Sequence, residues 1–275
     1  MPMEILAVLT SPHTVQPCLA GAAAAAAAVD GGCRIVAFHA QLAPESLVLP
    51  TEEVLTASRR AALTAREAAR ASALESAFRR WVAGGGPQGA STAWQTTVTG
   101  SIEDTLADRG HRADLVTLAH PRAAEDHAAL HAAIFKTGRP LLLMPPAPLA
   151  GVFGRHLAIA WKASGQAEQA VRAAAPWLRR AERVSVLAVA PDDPAAAVPP
   201  ALQSLLEGQG IRATLVALAD DEDTVPQQLL RAAHGIGADG LVMGAYRHSR
   251  IREMLLGGVT RYMLAHADLP LFLMH

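Results

Sequence analysis

The sequence predicts an α/β protein of two tandem domains, each a five-stranded parallel sheet flanked by helices. Three observations predict it. Short apolar runs of strand length alternate with longer stretches of helical spacing, the pattern that builds parallel sheets through right-handed crossovers. The order then repeats, with two local echoes. Ala113-Asp114-Leu-Val-Thr-Leu-Ala119 is answered by Ala238-Asp239-Gly-Leu-Val-Met-Gly244, and Gly138-Arg-Pro140-Leu-Leu-Leu-Met144 by Asp268-Leu-Pro270-Leu-Phe-Leu-Met274. Between the copies, Pro145-Pro146-Ala-Pro148-Leu-Ala-Gly151-Val-Phe-Gly154 is a Pro/Gly-rich connector that divides 1–149 from 150–275.

In the first domain, Glu4-Ile5-Leu6-Ala7-Val8-Leu9 reads as a buried strand, followed by an Ala-rich helix to about Val29. Arg34 to His39 is a second strand. Thr51 is positioned to cap a long amphipathic helix, with Glu52 and Glu53 in its first turn, where they favour the dipole. Leu74, Phe78, Trp81 and Val82 share one face of it, and Gly84-Gly85-Gly86-Pro87 ends it. Trp94 to Thr99 is a third strand, Ser101 to Asp104 begins a short helix, and Asp114 to Leu118 is a fourth strand. A helix from Ala128 to Phe135 leads to the fifth strand, Pro140 to Met144.

In the second domain the strands are Leu157–Trp161, Arg183–Val189, Ala213–Ala217, Gly240–Met243 and Leu271–Met274. The helices run from Gln166 to Arg180, Pro200 to Glu207 and Val225 to Ala233. A further helix runs through Val259, Tyr262, Met263 and His266. Before it the chain passes Gly244, a polar loop and Gly257-Gly258. A strand, a glycine loop and a helix N-terminus together make a place for an anion, because the first N–H groups of a helix lack internal partners and glycine permits close approach.

These residues carry a resemblance. The stretch Gly244 to Thr260 resembles the nucleotide-binding signature of the universal stress protein family, Gly-x2-Gly-x9-Gly-Ser/Thr, with Gly244 and Gly257 at the family spacing. Two positions depart from it: Arg247 stands at the second Gly, and Gly258 at the Ser/Thr, with Thr260 two residues on as another hydroxyl. The resemblance covers nearly the whole chain and implies a tandem member with the adenine nucleotide alpha hydrolase-like architecture. It implies a stress-response regulatory or binding module and an adenine nucleotide (ATP, ADP or AMP) in the C-terminal domain, with no metal required. The residues it places around that ligand are Lys162, Ser164, Val189, Met243, Gly244, Arg247, Gly257, Gly258, Val259 and Thr260. Lys162 stands where the family has an acid, and Thr10 stands there in the first copy. Family members often pair through this last strand. The resemblance therefore implies an intramolecular pseudo-dimer through Leu141–Met144 and Leu271–Met274, or a homodimer.

The copies are unequal. From Ala119 to Pro140 is 21 positions, whereas from Gly244 to Pro270 is 26. The shortfall falls where the glycine loop would be, and His120-Pro121-Arg122 stands there instead, with a Pro that removes a donor. Any nucleotide is therefore expected once per chain.

Composition narrows the rest. Apolar residues are 51% of the chain and the net charge is −1, which supports a large core and supplies no basic field for nucleic acid or an anionic membrane. Cys18 and Cys33 form no CxxC pair, as in a reducing compartment, and no apolar stretch is long enough for a bilayer, so a cytoplasmic location is expected. His127 and His131 share a helix face at metal-ligand spacing. They lack the Glu and third ligand of a zinc motif and read as exposed histidines. Arg59, Arg60, Arg66 and Arg70 read as a solvated face, and Trp177 as core. No nucleophile elbow, Walker loop or catalytic triad is evident, and no general base stands beside the glycine loop. A nucleotide-free interaction protein is the alternative, and an enzyme of hydrolysis or adenylyl transfer the third reading.

Overall fold

The computed structural model describes residues 2–29, 32–47, 56–121, 126–146, 153–189, 198–218, 223–245 and 258–275. The chain divides into two compact units, Met1–Arg139 and Pro140–His275. The first contains β1 (Met3–Val8), α1 (Val15–Ala27), β2 (Cys33–Leu42), α2 (Ala57–Ala83), β3 (Ala90–Thr99), α3 (Ile102–Gly110), β4 (Leu115–Ala119) and α4 (His127–Phe135). Its strands lie in the order β3-β2-β1-β4, all parallel. Ile5, Leu6, Ile35, Val36, Leu115 and Val116 are wholly buried, which explains why these strands read as continuous apolar runs: helices cover both faces.

The second unit contains β5 (Leu141–Met144), β6 (His156–Ala160), α5 (Gly165–Arg180), β7 (Arg183–Val189), α6 (Pro200–Gly208), β8 (Thr214–Leu218), α7 (Val225–Gly235), β9 (Gly240–Gly244), α8 (Gly258–His266) and β10 (Leu271–Met274). Here the order is β5-β10-β9-β6-β7-β8. The pairings from β10 through β8 are parallel, and β5 runs antiparallel to β10, with Leu142 opposite Phe272. Among the described residues each sequence copy thus supplies five strands, and the two apolar terminal strands pair with each other. Pairing removes the exposed hydrogen-bonding edge that either would otherwise present. Trp177 is 2% exposed and packs on Phe272 with ring centroids 5.2 Å apart, as its helical spacing predicts.

The first sequence echo has a physical cause. Asp114, just before β4, accepts a hydrogen bond from Glu4 N–H at 2.8 Å. Asp239, just before β9, accepts from Gly154, Arg155 and His156 N–H at 2.9, 2.8 and 3.0 Å. In both copies a carboxylate fastens the entrance of the first strand to the entrance of the fourth, satisfying donors no ladder reaches.

Several sequence expectations need correction. The described start of α2 is capped by Thr56, whose hydroxyl accepts from Arg59 N–H at 3.2 Å; Thr51, Glu52 and Glu53 lie outside the described residues. On α2, Leu74 and Phe78 are buried, but Val82 is 38% exposed. Arg70 is not part of a solvated face. It reaches inward, donating from Nε to the Thr10 carbonyl at 2.8 Å and pairing with Asp126 at 3.1 Å. It shares the buried face with Leu74 and Phe78, four and eight residues on. Arg60 does lie outside, paired with Glu45. His127 and His131 are exposed, and His131 lies 3.3 Å from Glu103.

Candidate ligand cleft in the second unit

In open parallel sheets the C-terminal ends of strands and the N-terminal ends of helices meet on one side. In the second unit they frame a cleft of about 770 Å³. Its floor is Ala160, Leu187, Met243 and Gly244, from the ends of β6, β7 and β9, with Leu218 from β8. Its rim is the starts of four helices: Ser164 and Ala167 of α5, Pro199 before α6, Val225 of α7, and Gly258, Val259 and Thr260 of α8. Trp161 and Lys162 lie between β6 and α5 and also line it. The walls are mostly hydrocarbon, which suits the flat apolar body of a ligand. The Lys162 ammonium and the helix starts supply positive potential at the edge.

The residues expected around the ligand sort as follows. Lys162 is exposed on the rim. Ser164 lines the cleft, and its hydroxyl caps α5 by accepting from Ala167 N–H at 3.2 Å. Met243 is buried at the floor, and Thr260 is buried in the first turn of α8. Val189 ends β7, where its backbone pairs in register with Leu218. Arg247 and Gly257 lie outside the described residues.

The two described glycines of the motif differ. A Cβ on Gly244 would come within 2.8 Å of backbone atoms of Gln166 and Ala167. Gly244 is therefore required by the close approach of α5 to β9, whatever ligand is present. A Cβ on Gly258, which lines the cleft, would meet no atom of the described residues within 4 Å.

Sequence reasoning missed the hydrocarbon walls, because Ala160, Leu187, Leu218 and Leu229 look like ordinary core in a strand or helix. It also missed a Ser–His contact. His156 Nε2 lies 2.9 Å from Ser185 Oγ, both side chains buried. His156 begins β6, at the end of the sheet away from the cleft, and burial beside Arg183 pushes its pKa down. The pair is a packed polar contact. Neither cysteine offers a nucleophile: burial pushes Cys18 up to about 12 and Cys33 up to about 11. Among the described residues, no group of three or more His, Cys, Asp or Glu side chains could hold a metal ion. No described helix is long and apolar enough to cross a membrane.

Residues 155–275 match the model of the universal stress protein family. The whole chain is similar in fold to a universal stress protein from Archaeoglobus fulgidus DSM 4304, at 11% identity and a TM-score of 0.65, covering 98% of this chain and 95% of that one. It is also similar to a functionally unknown protein from Pseudomonas aeruginosa PAO1, at 14% identity and a TM-score of 0.59, covering 99% and 92%. No curated protein matches its sequence. Residues 155–275 are a universal stress protein domain, and the chain as a whole has the tandem two-domain fold of universal stress proteins.

Proposed function

We propose that this universal stress protein binds one adenine nucleotide, or a closely similar anion with an apolar body, in the cleft of its second unit, and acts as a ligand-responsive stress-response module. The observation that carries the reading is the meeting of an apolar floor with the starts of α5 and α8 and the Lys162 ammonium on one rim. An aromatic base fits the hydrocarbon walls, and a phosphate fits the helix start and the cation. Gly258, at the start of α8, lines the cleft and adds no side chain there.

The test is calorimetric titration of the chain and its Gly258→Val variant with ATP, ADP and AMP. AMP and ADP are expected to bind as well as ATP, because Arg247 stands in the sequence where the family motif has its second glycine. Gly258→Val is expected to abolish binding while leaving the melting curve nearly unchanged. Equal binding by the variant would refute the placement. An absence of binding by the parent chain at millimolar nucleotide would favour the interaction-protein reading.

A further inference from the structure

The C-terminal ends of β1 and β2 in the first unit gather a different set of groups. The Leu9 carbonyl lies 2.9 Å from His39 Nδ1. A carbonyl only accepts, so Nδ1 carries the proton and Nε2 presents a lone pair. The next residue, Thr10, receives the Arg70 guanidinium on its carbonyl, and the same guanidinium reaches Asp126 at 3.1 Å. Asp126 precedes α4 without capping it. Thr10, His39 and Asp126 are 9%, 3% and 1% exposed. Each keeps one enclosed polar atom that meets no hydrogen-bond partner among the described residues: Thr10 Oγ1, His39 Nε2 and Asp126 Oδ2. Arg70 and Asp126 both act electrostatically on His39, so the groups belong to one neighbourhood.

Buried polar atoms are paired almost without exception, and leaving several orphaned in one place is costly. Two of these atoms are acceptors and the hydroxyl can turn either way. A guest must therefore bring hydrogen-bond donors. An anion such as phosphate would meet the Asp126 carboxylate and an imidazole lone pair. A cation would meet the Arg70 guanidinium. A neutral donor of minimal size satisfies the set, and water donates two hydrogen bonds while accepting others. We propose that the first unit carries an internal water site at the ends of β1 and β2, held by Thr10 Oγ1, His39 Nε2 and Asp126 Oδ2 beside Arg70. This resident guest stands where an open α/β unit would take an exchangeable ligand. The polarity of the site bars phosphate from it. The inference is independent of what binds the second unit.

Thr10→Val in the full chain provides the test, because valine keeps the shape and removes the hydroxyl. If Thr10 Oγ1 helps hold a guest, the variant loses a satisfied hydrogen bond and melts roughly 2–4 °C lower. If the hydroxyl is simply orphaned, its removal leaves the melting temperature unchanged or raises it, and either result overturns the proposal. High-resolution crystal structures of the parent, Thr10→Ser and Thr10→Val give an independent readout. Parent and Thr10→Ser are expected to show a solvent peak bridging at least two of the three atoms, with that peak weakened or displaced in Thr10→Val. A well-ordered parent map without a bridging peak would overturn the proposal whatever the melting data show.

Discussion

Thr10 after β1 and Lys162 after β6 leave corresponding strands of the two units, and their surroundings are opposite. Thr10 is enclosed; Arg70 holds its carbonyl, and Asp126 and His39 complete a buried polar group. Lys162 stands exposed on the rim of a cleft floored by alkyl side chains and bordered by helix starts. The frame beneath is shared. Asp114 and Asp239 do the same work in the two copies, fastening the first strand's entrance to the fourth's. The difference teaches that the frame and the ligand edge answer to separate constraints. Strand entrances need buried donors satisfied in every copy, whereas the C-terminal edges carry a buried polar group in one unit and an apolar cleft in the other.

The largest expected effect tests the closed edge. Arg70→Met would leave the buried Asp126 carboxylate without its guanidinium, and breaking a buried pair from one side costs about 3–5 kcal/mol, with the lower end expected because Arg70 is partly exposed. Urea unfolding of Arg70→Met and of Arg70→Met/Asp126→Asn measures it. The double variant should recover part of the loss; a single variant as stable as the parent would show that the edge is not held by charge. Next comes Gly244→Ala, which forces a methyl against the backbone of α5 and should cost about 1–3 kcal/mol with or without nucleotide. A loss of binding with unchanged stability would return Gly244 to a ligand role alone.

Smaller effects follow on the open edge and with pH. Lys162→Ala should weaken nucleotide binding by about tenfold, roughly 1.4 kcal/mol, and less at high salt because the group is exposed. Burial holds the His39 pKa below its ordinary 6.5. The folded protein therefore binds this proton less readily than the unfolded chain does. The contribution is full above pH 6.5 and is lost as pH falls below it toward the depressed folded value. Melting temperature against pH should fall through this window in the parent and less steeply in His39→Gln. Equal slopes would show that His39 is not the responsible group.

Most of the frame was legible because buried parallel strands are apolar on both faces, and because the duplicated Asp-strand and Pro-strand segments can be matched by eye. Gly244, Gly258 and Lys162 were legible as a loop pattern. Their separate reasons were not, since only the packing of Gln166 and Ala167 against β9 distinguishes a glycine needed for folding from one whose Cβ would meet no atom of the described residues within 4 Å. Arg70 was misread because its Ala- and Arg-rich surroundings look solvated, although extending the Leu74 and Phe78 stripe back one turn would have placed it on the buried face. His39 and Asp126 gave no local signal: they lie on different elements, and only the fold brings them together.

The central claim is the asymmetry between the two edges, and binding stoichiometry measures it most directly. Calorimetric titration of the full chain with AMP or ADP is predicted to give one site per chain, lost in Gly258→Val and retained in Thr10→Val. Two equivalent sites per chain, or a single site that survives Gly258→Val and disappears in Thr10→Val, would contradict the account.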